Sequence, residues 1–489
     1  MTTEAEPARR IIRFDERFWL VVVLVGFALL QLARVGPDLE LGNGTYYLRD
    51  AIAFSEGDVA RSRYSPGLPI LLVPVLWATG GDPAAATVAI EVLTVGVAVA
   101  ALALTYRVVR LRATAWASLG VTAAFALGQA GLGFLRGINP EPVVLAFVAL
   151  VLLADDRRGM WAAAITGAAV AVRIAVAPFF GILWLLRLRR RPRVALAALV
   201  LILGAAAAHF ATGPVADPSY VEIAESIYDA NAETAGPIVS VARQVGSGIV
   251  TFGRYGVPRL VWPYRVLATP LGPALAVATL AAMAWGLLGR SRPFRWDVVS
   301  GTAVYLLLLL AWPIRVTESV RLVVPVAPIL LGGLAVAFDR LGGLAADRVR
   351  SAATKRRVVY GIMAAMAAVA LAAGLSGFVQ SIGPSTKELD FYQAHRDAAG
   401  RVETEPVISR KPAVTELMLG VTAIGYPSGD PTPDDLARYA EGWSACVFVV
   451  DGLGRGDEAL FAWVDDRTAE VVAEAGATRI VRIDAPWCR

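Results

Sequence analysis

Histidine and cysteine are nearly absent: two of each in 489 residues. So few ligands exclude a multi-His zinc centre as the basis of function. They also exclude a disulfide-dense scaffold. Charge is scarce as well. Asp, Glu, Lys and Arg make up 18% of the chain, against about 25% in an ordinary soluble domain. That composition excludes a disordered polypeptide, and with the long apolar runs it excludes most soluble enzymes. No internal repeat and no collagen-like period is present. What the sequence has instead is apolar mass: 56% hydrophobic residues and a mean hydropathy of +0.58. Apolar runs of about 18 or more residues are transmembrane candidates. The net charge of +5 sits in Arg-rich segments between those runs. That is the pattern that orients membrane proteins, and it gives no sign of nucleic-acid binding.

Residues Met1–Arg17 are polar and carry Arg9, Arg10, Arg13 and Arg17. Phe18–Leu32 follows as a first span. No small-residue cleavage site succeeds it, so it reads as retained, with its basic flank in the cytoplasm. Further apolar runs are Ala84–Tyr106, Ala115–Phe134, Pro142–Ala154, Met160–Leu186, Val194–Thr212, Leu271–Leu288, Val298–Pro313, Leu322–Phe338 and Val358–Val379. Met160–Leu186 is basic at both ends, with Arg157 and Arg158 before it and Arg187 to Arg193 after it. Its roughly 27 residues are too few for two full crossings at 1.5 Å each. A shallow helical hairpin turning near Arg173–Pro178 is predicted. With that hairpin counted twice, the expected fold is a mainly α polytopic membrane protein of about eleven transmembrane or half-embedded helices.

The segment between the first two spans is neither a clean span nor a clean loop. Thr45–Ser55 is amphipathic. Ser65–Ala78 is apolar, contains Pro66, Pro69 and Pro74, and at about 14 residues cannot cross a core of about 30 Å. Two interfacial helices on the outer face are expected. The domain plan is therefore a cytoplasmic N-terminus (1–17), a membrane domain (18–380) with a first outer loop at 36–83 and a long outer segment at 213–268, and an extracytoplasmic α/β domain (381–489).

In that last domain short apolar strands alternate with helices. Helices are expected at Thr386–Ala399, opened by a Ser385/Glu388 capping box, and at Ala413–Leu419, Pro433–Glu441 and Asp457–Ala475. Strands are expected at Pro406–Arg410, Val421–Tyr426, Ala445–Asp451 and Thr478–Asp484. This alternation predicts a small parallel sheet. Cys446 and Cys488 both lie here. An exported location permits a bridge between them, and two unpaired thiols are the alternative. Gly452–Gly456 is read as a turn rather than a nucleotide loop.

Carboxylates, arginines and two half-buried helices directly after a first span suit a substrate with a charged head and an apolar tail. A polyprenyl-phosphate sugar is such a substrate. Its phosphate needs Arg or a metal, sugar transfer needs a carboxylate base, and the chain needs an apolar groove. The run NGTYYLRDAIAFSEG (43–57) followed by YSPGLPILLVPVLWA (64–78) resembles the first outer loop of type C (GT-C) glycosyltransferases. The likeness is to bacterial members related to protein O-mannosyltransferases and aminoarabinose transferases. Asn139-Pro140-Glu141-Pro142, Arg173, the run RLVVPVAP (Arg321–Pro328) and the tail segment VISRKPAVTELMLG (Val407–Gly420) are similar to further segments of that family, in the same order.

The resemblance implies inverting transfer of a sugar from a polyprenyl-phosphate donor to a cell-envelope glycan, lipid or protein acceptor. It places the reaction on the extracytoplasmic face of a bacterial plasma membrane, often with a divalent metal such as Mg or Mn. The family's usual acidic residue falls on Asn43, a neutral amide that cannot act as a base. Asp38 and Glu40 are the candidates for catalysis and for metal binding, and solvated loop acids are their plainer reading. Donor-binding candidates are Asn43, Arg61, Arg63, Arg173, Arg315 and Arg321. Arg61 and Arg63 could equally snorkel to lipid head groups, and Arg315 and Arg321 could pair with Glu318. Acceptor-side candidates are Glu141, Tyr228 and Asp229. For Glu141 a simple helix-dipole role competes. Two other function classes stay open: a catalytically inactive member that binds donor, and a transporter or flippase of a lipid-linked substrate, although no two related halves are visible.

Overall fold

The computed structural model describes residues 15–36, 44–58, 64–154, 158–212, 237–289, 294–312, 316–348, 351–380, 386–402, 404–426, 432–451 and 458–488. The chain is mostly helical. The first ten helices are α1 (Glu16–Leu32), α2 (Gly44–Ser55), α3 (Gly67–Ala78), α4 (Pro83–Arg110), α5 (Ala115–Leu127), α6 (Gln129–Phe134), α7 (Glu141–Leu153), α8 (Gly159–Val172), α9 (Ala177–Arg187) and α10 (Pro192–Thr212). The amphipathic stretch and the Pro-rich apolar stretch of the first loop are indeed two short helices, α2 and α3, and they pack on each other. The run 115–134 splits at Gly128, whose backbone is extended, so α5 and α6 are separate.

Among the described residues, three helices are long and apolar enough to cross a membrane: Pro83–Arg110, Pro192–Thr212 and Ser319–Leu344. The other apolar helices are of 10–17 residues, so helix length does not by itself yield the expected count of about eleven. The long helices differ in place. The most apolar window of Ser319–Leu344 is 94% buried, whereas that of Pro192–Thr212 is 17% buried. The first is the central post of the bundle and the second lies at its edge. Exposed Val25 and Leu29 on α1, and Val200, Leu203 and Phe210 on α10, form apolar faces that water would not tolerate and lipid does. This is a multi-pass membrane protein. Small residues set its closest approaches: a Cβ on Gly286 would strike the Gly333 carbonyl, so helices Gly272–Leu288 and Ala327–Arg348 touch backbone to backbone.

The chain reverses where the hairpin is predicted. Gly159 faces Val194 and Gly167 faces Leu201, so α8 and α10 run side by side in the same direction. The intervening α9 brings the chain back. The break falls at Arg173, which is extended, followed by one 3₁₀ turn at Ile174–Val176. Pro178, in the first turn of α9, fits there because the first turn needs no backbone N–H partner.

The C-terminal part folds around five strands, β1 (Val407–Ile408), β2 (Ala423–Ile424), β3 (Val447–Val450), β4 (Thr468–Ala475) and β5 (Thr478–Ile483), in the order β2-β1-β3-β5-β4. Strands β2, β1 and β3 are parallel, but β5 is antiparallel to β3 and to β4. The expected parallel sheet is therefore mixed. The expected long helix at Asp457–Ala475 is also corrected, since it ends at Asp465 and β4 follows. Gly476, at φ +51, closes a tight hairpin, and Arg482 on β5 reaches Glu470 on β4. Strand pairing and a cross-strand ion pair outweigh the helix propensity of the Ala and Glu in this segment. A capping box forms at Thr432/Asp435; the one expected at Ser385 lies outside the described residues, as does Gly452–Gly456.

Cys446 and Cys488 are bonded, with Cα atoms 5.6 Å apart. The bridge ties the end of the chain to the start of β3. Replacing Cys488 with Ser is expected to lower the stability of this part by about 2–4 kcal/mol. A melting curve unchanged by reductant would contradict it.

His395, in the helix Thr386–Ala398, is fully buried. Its Nδ1–H donates to the Phe391 carbonyl at 2.8 Å, and its Nε2 accepts from the Thr415 hydroxyl at 2.9 Å. Burial pulls its pKa from 6.5 down to about 4, against the backbone hydrogen bond, which raises it. The folded chain thus resists protonation that the unfolded chain accepts. Stability is full above pH about 6.5 and falls progressively toward pH about 4. Melting temperature followed through that window checks this, and His395→Gln should flatten the slope.

Candidate functional site

Three sequence candidates that are far apart in the chain meet in space. Glu141 opens α7, between Pro140 and Pro142. Its carboxylate is fully buried. Arg173 leaves the α8–α9 break, where the extended backbone turns its side chain out of helical register. Arg321 lies in the short helix Val316–Val323. Arg173 Nη1 and Arg321 Nε both bond to Oε1 of Glu141. Arg321 Nη2 donates to Asn139 Oδ1 at 3.2 Å, and Asn139 Nδ2 donates to the Arg136 carbonyl at 2.8 Å. Both arginine side chains are only 13% exposed. The second Glu141 oxygen has no hydrogen-bond partner. Two guanidinium groups thus share one carboxylate oxygen in a mostly buried place, where charge acts strongly on an incoming anion.

Neighbouring elements hold this cluster in shape. Ser65 Oγ accepts from the Ile174 N–H at 3.1 Å. Gly67 lies so close to the Ala171–Val172 backbone that a Cβ there would clash. The YSPG stretch is therefore fastened to the break that carries Arg173. The Tyr305 hydroxyl donates to the Leu322 carbonyl at 2.5 Å, and Arg259 Nη1 donates to the Val316 carbonyl at 3.2 Å, fixing the helix of Arg321 from two sides. The Arg259 guanidinium also faces the rings of Tyr264 at 5.5 Å and Phe134 at 5.9 Å. Sequence reasoning missed Ser65, Arg259 and Tyr305. The signal for Arg259 was an arginine inside the aromatic stretch Tyr255–Tyr264.

The first loop also contacts the C-terminal part. Arg49 on α2 pairs with the buried Asp50 at 2.9 Å and with Glu416 at 3.7 Å. At the loop's entry, Glu91 on α4 accepts from the Gly36 N–H at 3.2 Å. His209 packs its ring on Phe210 at 5.4 Å, far from ligand chemistry. Asp38, Glu40, Asn43, Arg61, Arg63, Arg315, Tyr228 and Asp229 all lie outside the described residues. No group of three or more His, Cys, Asp or Glu comes together among the described residues. Glu141, already held by two arginines, is electrostatically a poor seat for a cation. The described part of the site does not fit a divalent metal.

No protein-family model matches the chain, and no curated protein matches it. Solved structures do. ArnT from Cupriavidus metallidurans bound to undecaprenyl phosphate superposes with a TM-score of 0.58 at 13% identity, over 96% of this chain and 99% of that one. The same protein in its apo state gives 0.55 at 14% identity. The archaeal oligosaccharyltransferase AglB from Archaeoglobus fulgidus, in complex with an inhibitory peptide and a dolichol-phosphate, gives 0.53 at 14% identity, over 89% of this chain and 69% of that one. This chain has the GT-C fold. The ArnT match runs through the helices and on into the C-terminal sheet, so the whole layout is shared. At such identities it is the GT-C architecture that is held in common, and the roles of single residues rest on the geometry described above.

Proposed function

We propose that the protein is an integral membrane glycosyltransferase. It takes a sugar from a polyprenyl-phosphate-linked donor and passes it to a cell-envelope glycan, lipid or protein acceptor on the extracytoplasmic face. The observation that carries this reading is the buried Arg173–Glu141–Arg321 cluster beneath the first loop of a GT-C fold. A pair of forked guanidinium groups is phosphate chemistry, and apolar helices around it suit a prenyl chain. ArnT and AglB have each been seen with a polyprenyl phosphate in this fold.

In the proposed reaction an acceptor nucleophile attacks the anomeric carbon of the donor sugar. The bond from that carbon to the phosphate oxygen breaks, and the configuration inverts. The charge that builds on the departing phosphate is held by Arg173 and Arg321, with Asn43, Arg61, Arg63 and Arg315 as further donor-binding residues. Glu141 orients the two arginines. Asp38 or Glu40 takes the acceptor's proton. Tyr228 and Asp229 belong to the acceptor side. A divalent metal would be held by Asp38 and Glu40 and would supply additional charge for the leaving group; no step here depends on it.

The test is binding and turnover of a panel of short-chain polyprenyl-phosphate sugars by the purified protein, with and without Mg or Mn. Turnover of any donor supports the enzyme. Tight binding without turnover, against sugar, lipid and peptide acceptors alike, would replace it with an inactive donor-binding member and make Asn43 the residue to explain. Absence of binding would sink the donor class and leave transport or scaffolding open.

A further inference from the structure

A second group of arginines lies at the other end of the bundle. Helices α7 and α9 carry the Glu141 cluster at their starts. Their far ends, about 20 Å away at 1.5 Å per residue, border a cavity of about 140 Å³. Arg112, Arg187, Arg191 and Arg295 line it, together with apolar side chains such as Val108 and Leu152. A water's share of liquid volume is about 30 Å³, so the cavity admits a phosphate-sized group.

Asp297 is paired with Arg187 at 2.5 Å and with Arg295 at 3.3 Å. Arg112 packs over the Phe294 ring at 5.4 Å and has no carboxylate partner among the described residues. Arg187 likewise lies over the Trp184 ring at 5.1 Å, which fixes its guanidinium in place. An orienting surplus of arginine explains basic residues at this end, but not their convergence on one cavity with an apolar wall. Position decides what kind of phosphate would enter. Trp116, Trp161 and Trp296, at the starts of α5, α8 and the helix Trp296–Ala311, are exposed at this same end. Exposed tryptophans mark the level of lipid head groups.

We propose that this cavity binds the phosphate of an anionic phospholipid head group, at the membrane surface opposite the Glu141 cluster. Arg112 and Arg295 meet the phosphate first, and Arg187, held by Asp297 and Trp184, forms the inner wall. The apolar wall takes the start of the acyl region. Such basic pockets between membrane helices are a general form of lipid recognition. The proposal does not depend on the sugar-transfer reading.

The experiment uses full-length protein, stripped of lipid in detergent and melted with added phosphatidylglycerol, phosphatidylcholine or inorganic phosphate. Phosphatidylglycerol is expected to raise the melting temperature and phosphatidylcholine to leave it nearly unchanged. The double variant Arg112→Gln/Arg295→Gln should need roughly tenfold more phosphatidylglycerol for the same shift. Both side chains are well exposed, so that variant should fold. Arg321→Gln, at the opposite end, should keep the full shift. An unchanged response in the double variant would overturn the proposal. So would an equal shift with inorganic phosphate alone, which would make this a free-anion site, or loss of the shift in Arg321→Gln, which would move the lipid to the other cluster.

Discussion

Arg321→Gln is expected to cut sugar transfer by about 10²–10³-fold while leaving the protein folded. The reason is the charge arrangement around Glu141. With Arg321 gone, Glu141 keeps its pair with Arg173, so the buried carboxylate is not stranded. What is lost is one positive charge and one preorganised donor for the leaving phosphate, and removal of one such donor typically costs about that factor. Arg321→Lys should fall between the two. It keeps the charge but cannot reach both Glu141 and Asn139 with a planar fork. The measurement is kcat/KM for the donor beside the melting temperature. A variant that melts like the wild type and transfers at full rate would remove the cluster from the mechanism.

Glu141→Ala should act through stability first. It leaves two guanidinium groups facing each other, each 13% exposed, with the anion between them gone. Removing one partner from a buried ion pair typically costs about 3–5 kcal/mol, and here one anion serves two cations. The protein should express poorly and melt early. Replacing Arg173 and Arg321 with Met in the same chain should restore much of the stability, because well-packed apolar groups often match a buried ion cluster. Transfer should stay absent. Activity in that triple variant would show that the cluster serves the fold alone.

The roles of particular residues were legible to different degrees. Arg173, Glu141 and Arg321 were each visible, because an ionisable residue within apolar runs is costly and invites explanation. Their partnership was not. Glu141 was read toward the acceptor and the arginines toward the donor, yet one carboxylate oxygen takes both guanidinium groups. Residues 32 and 180 positions apart have no pattern in sequence that marks them as neighbours. Ser65 was hidden for a similar reason: a serine in a Pro-Gly turn is ordinary until the Ile174 N–H is found above it. Segment 457–475 failed because its local preference and its tertiary environment disagree. Its Ala and Glu favour helix, and pairing with β5 decides for strand.

The sequence by itself determined that this is a membrane protein, that its first loop carries two short helices, that the chain turns near Arg173–Pro178, and that an α/β unit follows the last apolar run. These features follow from composition, hydrophobic period and proline placement, which act over a few turns of chain. Only the tertiary structure decided the pairing of Glu141 with two arginines, the mixed order of the sheet, the Cys446–Cys488 bond and the convergence of arginines at the far end of α7 and α9. Each of these depends on which distant segments pack together, and packing is selected by the summed burial of many weak contacts rather than by any one residue's preference.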